Sequence, residues 1–586
     1  MKIDYSKDLL LTEFSHKTLE DRYLVGDEVS PQQAFARAAK AFADDDDHAQ
    51  RLYDYASNLW FMFSTPVLSN GGTERGMPIS CFLNYVEDSR EGITDHYTEN
   101  AYLSSFGGGI GGSWSAVRSQ GTKTSKGSES TGAIPFMKVV DAEMLAFSQG
   151  VTRRGSYAGY LHITHPEIEE FLDIRKATGG DINRKCTNLH HGIVINDKFM
   201  EVIHRATKEE NFDDSWELID PHTQQVKKVV SARTLWVKLL QNRMETGEPY
   251  LMFEDAVNQD LPEFQKKKGL YVNHSNLCSE ITLATNEERT AVCCLSSVNL
   301  EYYDLWSKIP AFIPDLVRML DNVLQHFIDN APEQMEKAKY SAMRERSIGL
   351  GAMGYHAYLQ KNQIPFESIG ASAANYKMFK HIKEDALQET RRLAVERGAC
   401  PDDDSCEVRN AHLLAIAPNA SSSIICGNTS PSIEPFRANA YTQKTKSGSH
   451  LQKNKYLEVL LETKDANTEA VWRDIVSNKG SVQHLEILSE DEKDIFKTAV
   501  EINQSWVVEH AAQRQEFVCQ SQSVNLFFPP DVTKGDLHNV HMLAWAKNLK
   551  TLYYLRSEAI SRADNVSNQV KREVIFEQED CLACEG

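Results

Sequence analysis

Apolar residues recur at helical spacing through PQQAFARAAKAFA (31–43) and again through AQRLYDYASNLWFMF (49–63). The first 60 or so residues are therefore predicted to be helical. Thr65-Pro66 and the NGG of residues 70–72 are expected to break that pattern. From there to about Ile560, helical stretches alternate with short apolar runs such as GIVIN (192–196) and SVNLFF (523–528), the alternation of an α/β architecture. No internal repeat and no Pro- or Ser-rich linker divides this region. From Ser561 the chain is polar with little apolar periodicity, which reads as a flexible tail. The pattern thus suggests three units, residues 1–75, 76–560 and 561–586.

The stretch YVNHSNLCSEITL (271–283) carries Asn276, Cys278 and Glu280 at alternate positions. In an extended backbone, residues two apart line one face, so an amide, a thiol and a carboxylate would share one surface. Taken alone, the plainer reading is a strand with a buried cysteine and two solvent-facing polar residues. FGGGIGGSW (106–114) contains a formal GxGxxG at Gly107, Gly109 and Gly112, but the preceding TENAYLSS is a poor strand for a dinucleotide fingerprint. These glycines are read instead as backbone that comes close to a ligand or to another chain segment. The run ADDDDHA (43–49) reads as a solvated turn or helix end rather than a metal site.

Composition narrows the class. The 586 residues, 41% hydrophobic and 25% charged, suit a large globular chain. A net charge of −20 argues against gripping a nucleic acid polymer, though not against a nucleotide pocket. No apolar run is long enough for a bilayer and MKIDYSKDLL lacks a signal pattern, so a cytoplasmic protein with no membrane partner is expected. The 11 cysteines are odd in number and scattered, unlike a disulfide framework. Only Cys581 and Cys584 form a CxxC, in EDCLACEG, with no second ligand pair for zinc. A redox-active pair needs only access to a partner, which a mobile tail provides.

Three further features bear on the opening triad. Cys293 lies 15 residues after Cys278 in AVCCLSSVNL, Cys81 lies in MPISCFL, and KNLKTLYYLRSE holds the adjacent Tyr553 and Tyr554. With STP (64–66), NLCSEI (276–281), the C-x-L-x-S-x-N pattern from Cys293, HPEIEEFLDIR and IGLGAMG, all in order, the chain resembles the large, catalytic subunit of class I ribonucleotide reductases.

That resemblance implies a ten-stranded α/β barrel over 76–560, preceded by a short helical region, with a central finger loop that carries the radical cysteine, Cys278. It implies that Cys278 becomes a thiyl radical and takes the substrate's 3′ hydrogen. Glu280 would serve as general base on the 3′-hydroxyl and Asn276 would hold the hydroxyl or a neighbouring carbonyl. Cys81 and Cys293 match the dithiol that reduces the substrate. Cys294 is read as a packing residue facing the other way. Cys581 and Cys584 look like the shuttle that exchanges with the internal disulfide and then with thioredoxin or glutaredoxin. Tyr553 and Tyr554 would relay the radical from a separate ferritin-like, metal-containing small subunit, leaving this chain with no metal of its own.

For the ribonucleotide substrate, the resemblance points to Thr65, Ser80 and Gly109. It points also to Asn419, Ala420, Ser421 and Ser422 in APNASSSIICGNTSPSIEP as a phosphate loop, although this chain has NAS where some relatives carry an acidic residue. Asp88 and Arg118 match contacts to a nucleoside triphosphate specificity effector (dTTP, dGTP, dATP or ATP). Arg153 or Arg154 would report effector identity to the substrate site, and an effector-induced homodimer follows. Only 80 residues precede Cys81, so the expectation is a short form without an N-terminal ATP-cone. The implied activity is reduction of ribonucleoside diphosphates to deoxyribonucleotides. An adenosylcobalamin-dependent relative is the alternative, sharing the barrel and cysteines but needing no tyrosine relay.

Overall fold

A computed structural model describes residues 1–149, 153–445 and 448–557; Cys581 and Cys584 lie outside the described residues. The N-terminal helices begin where local chemistry dictates. Ser30 and Gln33 form a capping box at the start of Pro31–Phe42, with Pro31 in the first turn, where no N–H is required. Asp45 caps Asp46–Ser57 by accepting from the His48 N–H, and Asp46 and Asp47 sit in the first turn, where the helix dipole favours carboxylates. The acidic run is thus a helix start, with Asp44 paired to Arg318 and Arg397.

Two sequence expectations fail in this region. Helix does not continue through NLWFMF: it stops at Ser57, Leu59 turns the chain at φ +62°, and the β-prone aromatic run Phe61–Phe63 becomes a strand. Thr65-Pro66 does not break structure but opens the short helix Thr65–Asn70, since proline is tolerated in a first turn.

In chain order the strands are β1 (Phe61–Phe63), β2 (Cys81–Tyr85), β3 (Gly109–Ser113), the two-residue β4 (Ser148–Gln149) and β5 (Arg153–Arg154), and β6 (Ser156–His162). Next come β7 (His190–Ile195), the hairpin β8 (Ser215–Ile219) and β9 (Val226–Ser231), β10 (Tyr250–Phe253), β11 (Ala291–Asn299) and β12 (Ile348–Met353). The last are the hairpin β13 (Ala440–Thr445) and β14 (Gly448–Lys453), β15 (Leu526–Phe528), β16 (Thr551–Leu552) and β17 (Leu555–Ser557).

Five of these, β2, β3, β6, β7 and β10, run parallel as one half of a barrel. The other half consists of β11, β12, two extended segments around Leu414 and Gln522, and β16. Here β11 and β12 are parallel, and parallel bridges link Leu350 to Leu414 and Ile416 to Gln522. The Gln522 segment continues beside the 551–557 strands through the Tyr553 N–H to Val524 O and the parallel pairing of β15 with β17. The halves meet antiparallel at β2–β11 and at β10–β16, which closes a ten-stranded barrel. Every residue of β11 and of β12 is buried, as expected for strands covered on both faces. Helices such as Phe312–Asn330 pack outside, while three smaller apolar clusters sit apart from that outer core. Among the described residues, no helix is long and apolar enough to cross a membrane.

Candidate active site

Residues 271–285 run through the barrel without regular secondary structure. Both barrel halves hold this loop. From one half, His274 Nε2 lies 3.0 Å from Gly111 O on β3, and Tyr160 on β6 donates its hydroxyl to Asn276 O at 2.7 Å. From the other, the Ser523 hydroxyl donates to Cys278 O at 2.5 Å, Ser521 N–H to Glu280 O at 2.9 Å, and the Thr551 hydroxyl to Ser279 O at 2.8 Å. Gly111 must be glycine for this seating: a Cβ there would overlap Ser275 O and lie 2.8 Å from Asn276 Cα. The Gly-rich strip therefore acts by close backbone approach, and TENAYLSS belongs to the helix Arg90–Ser105 before it.

The extended reading of 276–280 is corrected. The chain turns here, with the Ser279 N–H on Asn276 O at 3.3 Å and Ser279 at φ +65°, so strand alternation does not apply. Asn276 Oδ1 accepts from Ile281 N–H at 3.1 Å across the same turn, which fixes its amide plane. Asn276, Cys278 and Glu280 are all buried. Ser523 Oγ also lies 3.3 Å from Glu280 Oε2, but its single proton is committed to Cys278 O, the shorter contact.

Cys81 on β2 and Cys293 on β11 are direct antiparallel partners. Both belong to an apolar cluster with Leu83, Ile281 and Ala415. Burial pushes the Cys293 thiol well up, with the neighbouring Cys294 adding to it, against a partial offset from the Gln520 amide 3.5 Å away. Cys294 points to the opposite side of β11, where its thiol meets Leu320 O on the outer helix Phe312–Asn330.

Tyr553 and Tyr554 are in contact, with ring centroids 4.3 Å apart and planes tilted by 53°, and share an apolar cluster with Cys278 and Leu277. Tyr250 on β10 completes a triangle, 4.7 Å from Tyr553 and 5.1 Å from Tyr554. Sequence reasoning missed Tyr250, because one aromatic in a short buried strand carries no signal of its own. It also missed Gln520 and Ser523, which belong to no metal or nucleophile motif. Tyr554 Oη lies 3.3 Å from His190 Nδ1, which is 2.6 Å from Glu248 Oε1, and the Arg556 guanidinium lies over the Tyr554 ring at 4.1 Å. Burial would raise the Glu248 carboxyl, but Arg175, His190 and His191 hold it well below the usual carboxylate range.

A cavity of about 190 Å³ opens beside the tyrosines, lined by Ala420, Ser423, Arg437, Lys455, Tyr553 and Tyr554 among others. Its 420s wall is the short helix Ala420–Ile425, so the residues after Asn419 do open a helix. The Asn419 side chain is taken up structurally, accepting from the Ser297 hydroxyl and donating to Ala352 O and Ala417 O. Ser421 and Ser422 are buried in the first turn. Thr65 Oγ1 lies 3.0 Å from the Tyr23 hydroxyl, and Ser80 O accepts from Gly109 N–H at 2.6 Å.

Asp88 and Arg118, distant in sequence, are joined by an ion pair of 2.9 Å, with His222 3.1 Å from the same carboxylate. Arg153 and Arg154 form β5, paired with β4; their side chains lie outside the described residues. Among the described residues, no group of three or more His, Cys, Asp or Glu side chains could hold a metal ion.

A barrel enclosing a loop cysteine, with two cysteines paired across its wall and two contacting tyrosines behind it, is an architecture suited to thiol-based reduction. Family models agree: residues 9–76 match the ribonucleotide reductase all-alpha domain, and residues 79–405 and 404–555 match the ribonucleotide reductase barrel domain. The chain is 44% identical over all of its length and all of that of the ribonucleoside-diphosphate reductase large subunit of Invertebrate iridescent virus 3. It is 48% identical to the putative ribonucleoside-diphosphate reductase large subunit of Frog virus 3, covering 92% of each chain. Among solved structures, the class Id ribonucleotide reductase alpha subunit of Actinobacillus ureae superposes with a TM-score of 0.83 at 34% identity, over 96% of this chain and 100% of that one. The chain belongs to the ribonucleotide reductase large-subunit family.

Proposed function

We propose that this chain reduces ribonucleoside diphosphates to deoxyribonucleotides by thiyl-radical chemistry centred on Cys278. The observation that carries this reading is the finger loop. It brings Cys278 into one apolar cluster with Tyr553 and Tyr554, while Ile281, three residues on, packs with Cys81 and Cys293. A separate metal-containing, ferritin-like small subunit supplies the oxidising equivalent, and the tyrosines pass it to Cys278. The thiyl radical takes the 3′ hydrogen while Glu280 accepts the 3′-hydroxyl proton and Asn276 holds the sugar oxygen. The 2′-hydroxyl leaves as water. Cys81 and Cys293 provide the two electrons and two protons and end as a disulfide; Cys278 then returns the hydrogen to the 3′ carbon, which regenerates the thiyl radical, and Glu280 returns the proton to the 3′ oxygen.

The remaining assignments complete the reading. Cys581 and Cys584 return reducing equivalents from thioredoxin or glutaredoxin to the internal pair. Thr65, Ser80, Gly109 and the 419–422 turn hold the substrate. Asp88, Arg118 and the Arg153/Arg154 segment bind or report a nucleoside triphosphate effector at a dimer interface, and the enzyme works in the cytoplasm.

The test is deoxynucleotide formation from GDP with dTTP and a dithiol, run with the cognate small subunit and, separately, with adenosylcobalamin. Product only with the protein partner supports the relay through Tyr553 and Tyr554. Product with cobalamin alone overturns it, and product with neither from a folded, nucleotide-binding chain overturns the catalytic reading.

A further inference from the structure

Nine cysteines lie among the described residues, and only two of them reach solvent: Cys406, which is exposed, and Cys519, which is partly so. Cys519 sits where an extended segment of the barrel wall begins, two residues before Ser521. Its sulfur faces several donors, with one acceptor, Leu414 O, more distant at 3.7 Å. The N–H groups of Leu413 and Leu414 both donate to its sulfur, at 3.1 and 3.3 Å. The buried His412 spends Nε2 on Gln265 Oε1 at 3.0 Å, and its Nδ1 has no other hydrogen-bond partner among the described residues, leaving that nitrogen to meet the thiol. Lys383, on the helix Ile369–Arg397, adds its charge from outside the barrel.

The other charged groups nearby are accounted for. Lys550 donates to Cys519 O and Gln520 O and is neutralised by Asp260 at 2.5 Å, while the buried Glu345 takes up the Gln265 amide. Burial by itself would raise the Cys519 thiol, but Lys383, His412 and the Leu413 N–H bring it down to about 5. These donors and charges favour the thiolate. Neither the substrate chemistry nor the tail shuttle proposed above uses it.

We propose that Cys519 is a nucleophilic thiolate and a site of reversible oxidation by hydroperoxides, held by the Leu413 and Leu414 N–H groups, His412 and Lys383. The thiolate attacks one peroxide oxygen, an S–O bond forms, and the O–O bond breaks. Hydroxide leaves from hydrogen peroxide, or an alkoxide from an organic hydroperoxide, and is protonated to water or alcohol, so the sulfur is oxidised to the sulfenic acid as the peroxide is reduced. A dithiol reverses the step through a mixed disulfide.

The added oxygen has consequences for the reaction centre. It must displace the two N–H donors or shift the strand segment, whose next residue, Gln520, donates its N–H to Leu414 O at 3.1 Å and its amide to Cys293 Sγ at 3.5 Å. Ser521, one further along, holds the backbone of Glu280. Oxidation at Cys519 therefore acts on the wall that positions both Cys293 and Glu280.

The experiment uses the full chain without any partner and reads chemistry rather than turnover. Hydrogen peroxide followed by dimedone, with peptide mapping, is expected to mark Cys519 ahead of Cys406. Iodoacetamide alkylation of Cys519 is expected to be flat between about pH 6.5 and pH 8.5, where the rate at an ordinary exposed thiol climbs roughly fifty-fold in all. Lys383→Met should raise the midpoint of that profile. Labelling of Cys519 only after unfolding, a profile like that of an ordinary thiol, or a midpoint untouched by Lys383→Met would each overturn the proposal.

Discussion

Cys81 and Cys293 stand directly opposite one another where β2 and β11 pair antiparallel. Directly opposed residues in such a ladder have Cα atoms about 4.5–5.5 Å apart, inside the range a disulfide spans, so the pair can close without moving the backbone. A single turnover without external dithiol should leave a Cys81–Cys293 disulfide, seen by peptide mapping. Cys293→Ser should lower turnover by about 10³-fold or more while the thermal transition stays within a few degrees of the parent. A disulfide linking Cys294 instead would contradict the register, because Cys294 faces the outer helix.

Gly111→Ala separates the fold from the site. The added methyl has to displace the Ser275–Asn276 backbone, and so moves the loop that presents Cys278. Overpacking of this kind costs about 1–3 kcal/mol, which moves Tm little in a chain this size because its unfolding entropy is large. A misplacement of about 1 Å at reacting atoms can cost about 10²-fold in rate. We expect turnover to fall by about that factor with a shift of only a few degrees in Tm, measured by product assay and calorimetry. Equal activity in the variant would mean that the loop position does not set the rate.

Much of the site was legible before the structure. Residue type alone left the plainer reading of the Cys278 stretch standing; the cysteines, the carboxylate and the paired tyrosines were collected by the resemblance that their motifs carry in order along the chain. What was not legible came from geometry between distant segments. The 276–280 stretch alternates like a strand, yet Ser279 takes a left-handed backbone and the loop is held by Ser523 and Thr551, more than 240 residues away. The helical N-terminal region was readable from its period, but the switch to strand at Phe61 depends on pairing with Val298, which no local window contains. Tyr250 was invisible for the same reason.

Tyr250 should matter through its ring rather than its hydroxyl. It touches both Tyr553 and Tyr554, and contacts of this kind are worth about 0.5–1.5 kcal/mol beyond the area they bury. Tyr250→Phe keeps the ring and should retain most of the activity. Tyr250→Leu lets the pair relax and should slow turnover several-fold without changing substrate KM. Tyr553→Phe, by contrast, should abolish turnover. Loss of activity in Tyr250→Phe comparable to that in Tyr553→Phe would make Tyr250 a redox participant instead of a packing support.

The acid stability of the enzyme should depend on Glu248. Its buried carboxylate receives Arg175, His190 Nδ1 at 2.6 Å, and His191 through both Nδ1 and the backbone N–H. Because these partners hold its folded pKa well below the usual value, its contribution to stability is full above the unfolded value of about 4.3 and is lost as pH falls toward the folded one. Glu248→Gln removes the buried anion from Arg175, whose own side chain is 25% exposed, so the cost falls below the about 3–5 kcal/mol of breaking a fully buried pair. Tm at pH 7 should therefore drop by several degrees, and the decline of Tm below about pH 4.3 should become shallower than in the parent. The same variant should disturb Tyr554, whose hydroxyl lies 3.3 Å from His190, so turnover should fall along with stability. A parallel downward shift of the whole Tm–pH curve, with the acid limb unchanged, would show that Glu248 acts by packing and not by its charge.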